Sequence, residues 1–152
     1  MLITQPAPGA PKGADGAGPG DGIAGGVALD FGAGIPGFPA SRHFRVESLS
    51  PELEPFCVMR SEEEPGISFV LVEPGPLFPD YTIEIDEQHV ERLGLQSADD
   101  ALVLLIVTVG QPPTANLLGP LVVHRRTHAA AQVVQYQSDY KAAEPLVSRG
   151  AG

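Results

Sequence analysis

The chain has no tryptophan, and Cys57 is its one cysteine. A single cysteine excludes an intramolecular disulfide framework and a cysteine-based zinc site, and fits a reducing compartment. Aromatic residues make up only 6%, too few for a large aromatic ligand cage. Basic side chains are also scarce, 9 against 19 acidic ones, for a net charge of -10. Phosphate binding needs clustered lysine and arginine, so this balance argues against nucleic acid as a direct ligand and against an anionic membrane surface. No apolar run exceeds Ala101 to Val107, far short of the roughly 20 residues that cross a bilayer. The N-terminus has no basic stretch leading into an apolar core, so no secretory signal is expected. The chain reads as soluble and cytoplasmic.

What is present is the material of one small β-rich domain. The 152 residues suit a single core, and 18 glycines with 16 prolines call for turns and strands rather than a helical bundle. Residues 5–22 form a composition island in which 14 of 18 are Gly, Ala or Pro. Such a stretch cannot bury enough apolar surface to offset the entropy of ordering. It predicts a disordered tail over 1–22, a single domain over 23–147 and a disordered C-terminus over 148–152, although Met1 to Thr4 could form a stub of strand.

From Ile23 the pattern is mostly β. Val27, Leu29 and Phe31 alternate, as do Phe44 and Val46, and Tyr81, Ile83 and Ile85. Phe56 to Met59, Ile67 to Val72, Leu121 to Val123 and Gln132 to Tyr136 add further short strands. Leu102 to Val107 is continuously apolar and branched, which predicts a central strand covered on both faces. One short helix is expected between Asp86 as its cap and Gly94 as its end, with Val90 and Leu93 on one face. Ser97 to Asp100 reads as a second capped turn. The fold class is therefore mostly β: a small flattened barrel or sandwich of short antiparallel strands with one or two short helices.

The motifs that suggest chemistry have plainer readings. Gly32-Ala33-Gly34-Ile35-Pro36-Gly37 satisfies GxGxxG after a strand. A dinucleotide site also needs a helix starting in that loop. Pro36 and Pro39 and the alternating segment after them leave no room for one. Gly34, Pro36 and Gly37 are better read as a structural turn in which at least one glycine takes φ > 0. His124 and His128, four apart, lack the zincin glutamate and a third ligand, and read as surface residues at a strand end. Cys57, between Phe56 and Val58, reads as a core thiol. No nucleophile elbow is present. No catalytic residue, metal or cofactor is assigned, and a binding function ranks above an enzymatic one.

Charge is uneven along the chain. Residues 47–100 hold 14 acidic and 2 basic side chains, whereas residues 101–152 hold 2 and 4. The acidity is either a solvated surface or a docking face that steers a basic partner. Within it, Gly75-Pro76-Leu77-Phe78-Pro79-Asp80-Tyr81 is a proline-held turn, with Phe78 either plugging the end of the core or forming an apolar ledge.

Five segments, in order and register from about residue 24 to 147, resemble one family. These are Phe31 with Gly34-Ile35-Pro36-Gly37-Phe38; Pro74 with Leu77-Phe78-Pro79-Asp80-Tyr81; Ala101 to Thr108; Thr114-Ala115-Asn116-Leu117-Leu118-Gly119-Pro120-Leu121-Val122-Val123; and Gln132-Val133-Val134 followed by Tyr140 and Pro145-Leu146. They resemble the flagellar assembly factor FliW family. Where that family opens with an alternating first strand and its turn, this chain has the Gly/Ala/Pro island. The resemblance implies a non-enzymatic bacterial regulator, monomeric on its own, that binds flagellin in the cytoplasm. It also implies antagonism of the translational regulator CsrA, which controls flagellin synthesis. The candidate partner-binding residues are Phe38, Glu62, Glu63, Glu64, Glu73, Phe78, Asp80, Tyr81 and Glu84. An acidic β module with an unrelated protein partner and a small hydrolase or sugar-binding barrel are the alternatives.

Overall fold

The computed structural model describes residues 1–4, 26–32, 34–48, 52, 55–75 and 77–146. Of the tails expected over 1–22 and 148–152, residues 5–22 and 148–152 lie outside the described residues. Residues 1–4 do not belong to a tail: Leu2–Thr4 form strand β1, with Ile3 buried in the core. Three strand residues with one large apolar anchor suffice here because a partner strand supplies the hydrogen bonds. The opening strand thus stands before the Gly/Ala/Pro island in sequence.

The remaining strands are β2 (Val27–Asp30), β3 (His43–Ser48), β4 (Cys57–Ser61), β5 (Ser68–Val72), β6 (Thr82–Glu84), β7 (Ala101–Thr108), β8 (Thr114–Ala115), β9 (Leu121–His124), β10 (Ala130–Gln132) and β11 (Glu144–Pro145). All pair antiparallel. The main sheet runs β10-β9-β7-β5-β4-β3-β2, β8 joins β7 and β11, and β1 pairs with β6 in a second, two-stranded sheet. The mostly β, antiparallel expectation holds, with one refinement: the sheet is not a closed barrel. It curls until its edges meet at one point, a parallel bridge between Asp30 and Ala129 where the Asp30 N–H donates to the His128 carbonyl at 3.0 Å. The expected last strand, Gln132 to Tyr136, instead spans 130–132: Val133 and Gln135 still donate in register to the carbonyls of Pro120 and Leu118, but Pro120 has no N–H to return a bond and the Leu118 N–H goes to the Lys141 carbonyl.

Helix α1 (Glu87–Leu93) has the expected ends. The Asp86 side chain accepts from His89 N at 2.9 Å, and Gly94 closes the helix at φ 71°. A 3-10 turn over Ala98–Asp100 with a Ser97/Asp100 capping box leads into β7.

β7 organises the core. Its residues alternate between two apolar clusters, as the period of two in a strand requires. Ala101, Val103, Leu105 and Val107 pack with Ile3, Tyr81, Ile83, Ile85, Leu93 and Leu95. Leu102 and Leu104 pack with Leu29, Phe31, Phe44, Met59 and Leu71. Each face has its own cover, which is why this strand is continuously apolar while β2, β3 and β6 alternate.

Candidate functional site

The candidate residues fall into two groups at opposite ends of β5. Glu62, Glu63 and Glu64 lie in the hairpin before this strand, and Glu73 follows it. The five residues between span about 17 Å at the usual rise of a strand.

The first group is built by two turns. Ile35 and Phe38 form an isolated bridge across Pro36 and Gly37, and Phe38 N–H donates to the Ile35 carbonyl at 2.7 Å. Gly34 has φ 89° and Gly37 has φ 92°. A Cβ at Gly34 would stand 2.7 Å from the Pro39 carbonyl oxygen, so the turn needs glycine there for space as well as for dihedral. This geometry pushes the Phe38 ring outward, 37% exposed, where its edge meets Phe69 at 5.5 Å between centroids.

The β4–β5 hairpin lays its glutamates against this turn. Glu63 accepts from the backbone N–H groups of Arg42 and His43 at 3.0 and 2.9 Å, and pairs with His43 Nδ1 at 2.5 Å. Those bonds hold the Glu63 carboxyl down at about 2. The same Glu63 contact raises the His43 pKa above its ordinary 6.5, with Asp30 adding to the effect. Glu64 accepts from Ser41 Oγ, which also meets the buried Ser61 hydroxyl at 2.7 Å. Glu62 lies 3.4 Å from Arg45 Nε and remains exposed. Of the three hairpin glutamates, Glu62 therefore has the loosest tie, whereas Glu63 and Glu64 hold the turn in place.

The second group surrounds β6. Met1 and Ile85 exchange backbone bonds at 2.7 Å, so the β1 side of β6 is used by Ile83 and Ile85, and Thr82 and Glu84 face the opposite edge. That edge is filled by side chains. The Tyr140 hydroxyl donates to the Thr82 carbonyl at 2.8 Å and accepts from Thr82 N at 3.2 Å. The Gln135 carboxamide accepts from Glu84 N at 2.8 Å and donates to the Glu84 carbonyl at 3.0 Å. Two side chains thus imitate a neighbouring strand and leave no edge for another chain to extend.

Tyr81, expected as a contact residue, is core: it is 5% exposed, donates its hydroxyl to the Leu117 carbonyl at 2.5 Å and packs on Tyr140 at 4.7 Å. Its place follows from the alternation it shares with Ile83 and Ile85, and burial raises its pKa. Phe78 is half-buried against the same cluster, so it plugs more than it protrudes. Asp80 and Glu84 are exposed. Glu73 is half-buried, and burial raises its pKa while Arg125 opposes the rise. Cys57 is buried as expected, its thiol pushed up to about 11 by burial and by the charge of Glu73.

His124 corrects the surface reading of the histidine pair. It is 1% exposed, and its Nδ1 accepts from the Arg126 and Thr127 N–H groups at 3.0 and 3.3 Å, capping the β9–β10 turn. His128 takes φ 68° at the end of that turn. Among the described residues no three His, Cys, Asp or Glu side chains are grouped to hold a metal ion. Among the same residues no helix is long and apolar enough to cross a membrane. Tyr136, 86% exposed beside Glu84, was absent from the sequence candidates. Its only sequence signal was an aromatic between Gln135 and the polar run Gln137 to Asp139.

These features define a class: a small antiparallel β protein with acidic and aromatic residues at a hairpin corner of its curled main sheet and around β6 of a second, two-stranded sheet. Residues 23–146 match the family model described as FliW protein. The flagellar assembly factor FliW of Bacillus licheniformis is 37% identical over 119 residues, which cover 76% of this chain and 82% of that protein. The factor of Bacillus subtilis is 34% identical over the same shares. A crystal structure of the flagellar assembly factor FliW superposes with a TM-score of 0.73 at 33% identity, covering 80% of this chain and 86% of that one. The chain belongs to the FliW family of flagellar assembly factors.

Proposed function

We propose that the protein acts by binding other proteins and not by catalysis: in the cytoplasm, as a monomer, it captures flagellin and antagonises the translational regulator CsrA. The working unit in this reading is the span 23–147 together with β1. Family membership supports the flagellar role. The observation that carries the choice of a basic partner is the hairpin corner, where Glu62 and Glu63 stand exposed on the hairpin that braces the segment following the outward ring of Phe38. An exposed aromatic rimmed by carboxylates offers contact area for a partner and a field that steers a basic one. An RNA-binding regulator presents that charge, because phosphate binding requires it.

The test is stopped-flow association of wild type, Glu62→Lys and Phe38→Ala with CsrA and with flagellin, each at low and high salt. Association with CsrA falls with ionic strength in wild type, and Glu62→Lys slows it. Phe38→Ala speeds dissociation of whichever partner covers that ring. If neither protein binds the wild type, the reading fails and an acidic module with another partner takes its place.

A further inference from the structure

A cavity of about 320 Å³ opens beside β6, lined by Glu84, Asp86, Val134, Gln135, Tyr136 and Ser138 among others. Its volume is near the lower end for small-molecule pockets, enough for one long side chain. Gln135 forms part of the lining, with its carboxamide already committed to the Glu84 backbone and the Val133 carbonyl. Asp86 is committed too, to the α1 N-terminus and to His89 Nδ1 at 2.8 Å. Ser138 is committed as well, its hydroxyl donating to the Gln135 carbonyl at 2.8 Å, whereas the Glu84 carboxylate and the Tyr136 ring are not. The Glu84 carboxylate meets no cation among the described residues, although it is exposed within an acidic stretch. The Tyr136 ring is the most exposed large apolar group of the described residues, at 86%.

We propose that this cavity receives an arginine side chain from a protein partner. A planar guanidinium satisfies what the cavity offers: a carboxylate on one wall, an uncovered aromatic face on another, and a second carboxylate whose field adds to the first. An apolar side chain would bury Glu84 unpaired, and an acidic one would meet two like charges. Lysine brings the charge but not the flat face that stacks on a tyrosine ring. The proposal deepens the reading of the protein as a binder of a basic partner and rests on that reading for the partner's source. The cavity chemistry is tested without it.

The probe is the peptide acetyl-Gly-Arg-Gly-amide, titrated into the full chain at low salt and followed by the backbone amide signals of Glu84, Gln135 and Ser138 in NMR, which every variant retains. The lysine and glutamine peptides and free arginine serve as comparison arms. The expected result is a saturable shift with the arginine peptide, a weaker one with lysine and none with glutamine. Glu84→Gln and Tyr136→Ala should each weaken the arginine peptide by about twofold to fivefold, the size of exposed ion-pair and cation–π contributions. Unchanged backbone spectra outside residues 82–89 and 133–139 would show that both variants fold. A non-saturating shift, equal shifts for the arginine and glutamine peptides, or undiminished binding in both variants overturns the proposal. Tighter binding of free arginine than of the peptide also overturns it, in favour of a small-molecule site. Because no flagellar protein is present, failure here leaves the flagellin and CsrA experiment standing.

Discussion

The two ends of β5 handle polar groups in opposite ways. At the hairpin end, acidic side chains reach back and stabilise a turn: Glu63 on the backbone N–H groups of Arg42 and His43, and Glu64 on the Ser41 hydroxyl. At the β6 end, neutral side chains do this work, with Tyr140 and Gln135 pairing the backbone of Thr82 and Glu84, and the carboxylate of Glu84 is left to face solvent. The difference teaches that acidity along a sequence does not measure a docking surface. Carboxylates that hold up a loop, such as Glu63, keep a field that steers a partner but have fewer oxygens left for its hydrogen bonds than one freed by neutral side chains, such as Glu84.

The largest expected effect breaks the hairpin end. Gly34→Ala places a Cβ 2.7 Å from the Pro39 carbonyl at a φ of 89°, and should lower stability by about 2–4 kcal/mol in urea unfolding. Gly37→Ala has the dihedral penalty without the clash, since nothing lies within 4 Å of its Cβ, and should cost about 1 kcal/mol. Equal losses for the two variants would remove the clash argument. At the other end, Tyr140→Phe removes the partner of both Thr82 backbone groups. It should cost about 1–2 kcal/mol, with faster amide exchange at Thr82 while Gly34 and Phe38 are unaffected.

The acidic triplet sharpens the comparison. Reversing Glu62, Glu63 and Glu64 together is not a pure surface change, because two of the three support the turn. Glu62→Lys alone should shift stability by less than about 0.5 kcal/mol, whereas Glu63→Lys should lower the thermal midpoint detectably. Equal midpoints would make all three equivalent surface charges.

The smallest effect is titration of the His43–Glu63 pair. His43 is raised by its partner, so its contribution is fully present below its ordinary 6.5 and fades as pH climbs through the raised value. Glu63 is lowered, so its contribution is fully present above its ordinary 4.5 and fades as pH falls toward about 2. The pair is therefore strongest between pH 4.5 and 6.5. In an NMR titration His43 should have a midpoint above 6.5, which Glu63→Gln brings down.

Much of this architecture is legible in the sequence where one local rule suffices. Asp86 and Gly94 bound α1, Leu102 to Val107 announce the doubly covered strand, and Ile83 and Ile85 mark one face of β6. The structural roles that the sequence hides share a cause. Tyr81, His124, Glu63 and Gln135 owe their roles to residues distant in the chain or to the path of a turn, and neither leaves a periodic signal. A tyrosine before an alternating strand looks the same whether its hydroxyl meets solvent or the Leu117 carbonyl 36 positions on. For the same reason Tyr136 read as part of a strand, although its backbone belongs to a turn.

The place of β7 has a consequence for the order in which the chain assembles. β2 to β5 form a meander of neighbouring hairpins within residues 27–72, the kind of local pairing that forms fast. Their shared apolar face, with Phe44, Met59 and Leu71, has no cover until Leu102 and Leu104 arrive. During synthesis the ribosome must deliver some thirty further residues first, about two to six seconds at ordinary elongation rates. Through that interval the nascent meander is a sticky intermediate whose paired strands offer an uncovered sheet to any neighbour. The emergence of β7 begins to end that exposure, and Leu121 and Val123 of β9 complete the cover, so residues 101–124 are the stretch over which the newborn chain becomes safe from aggregation.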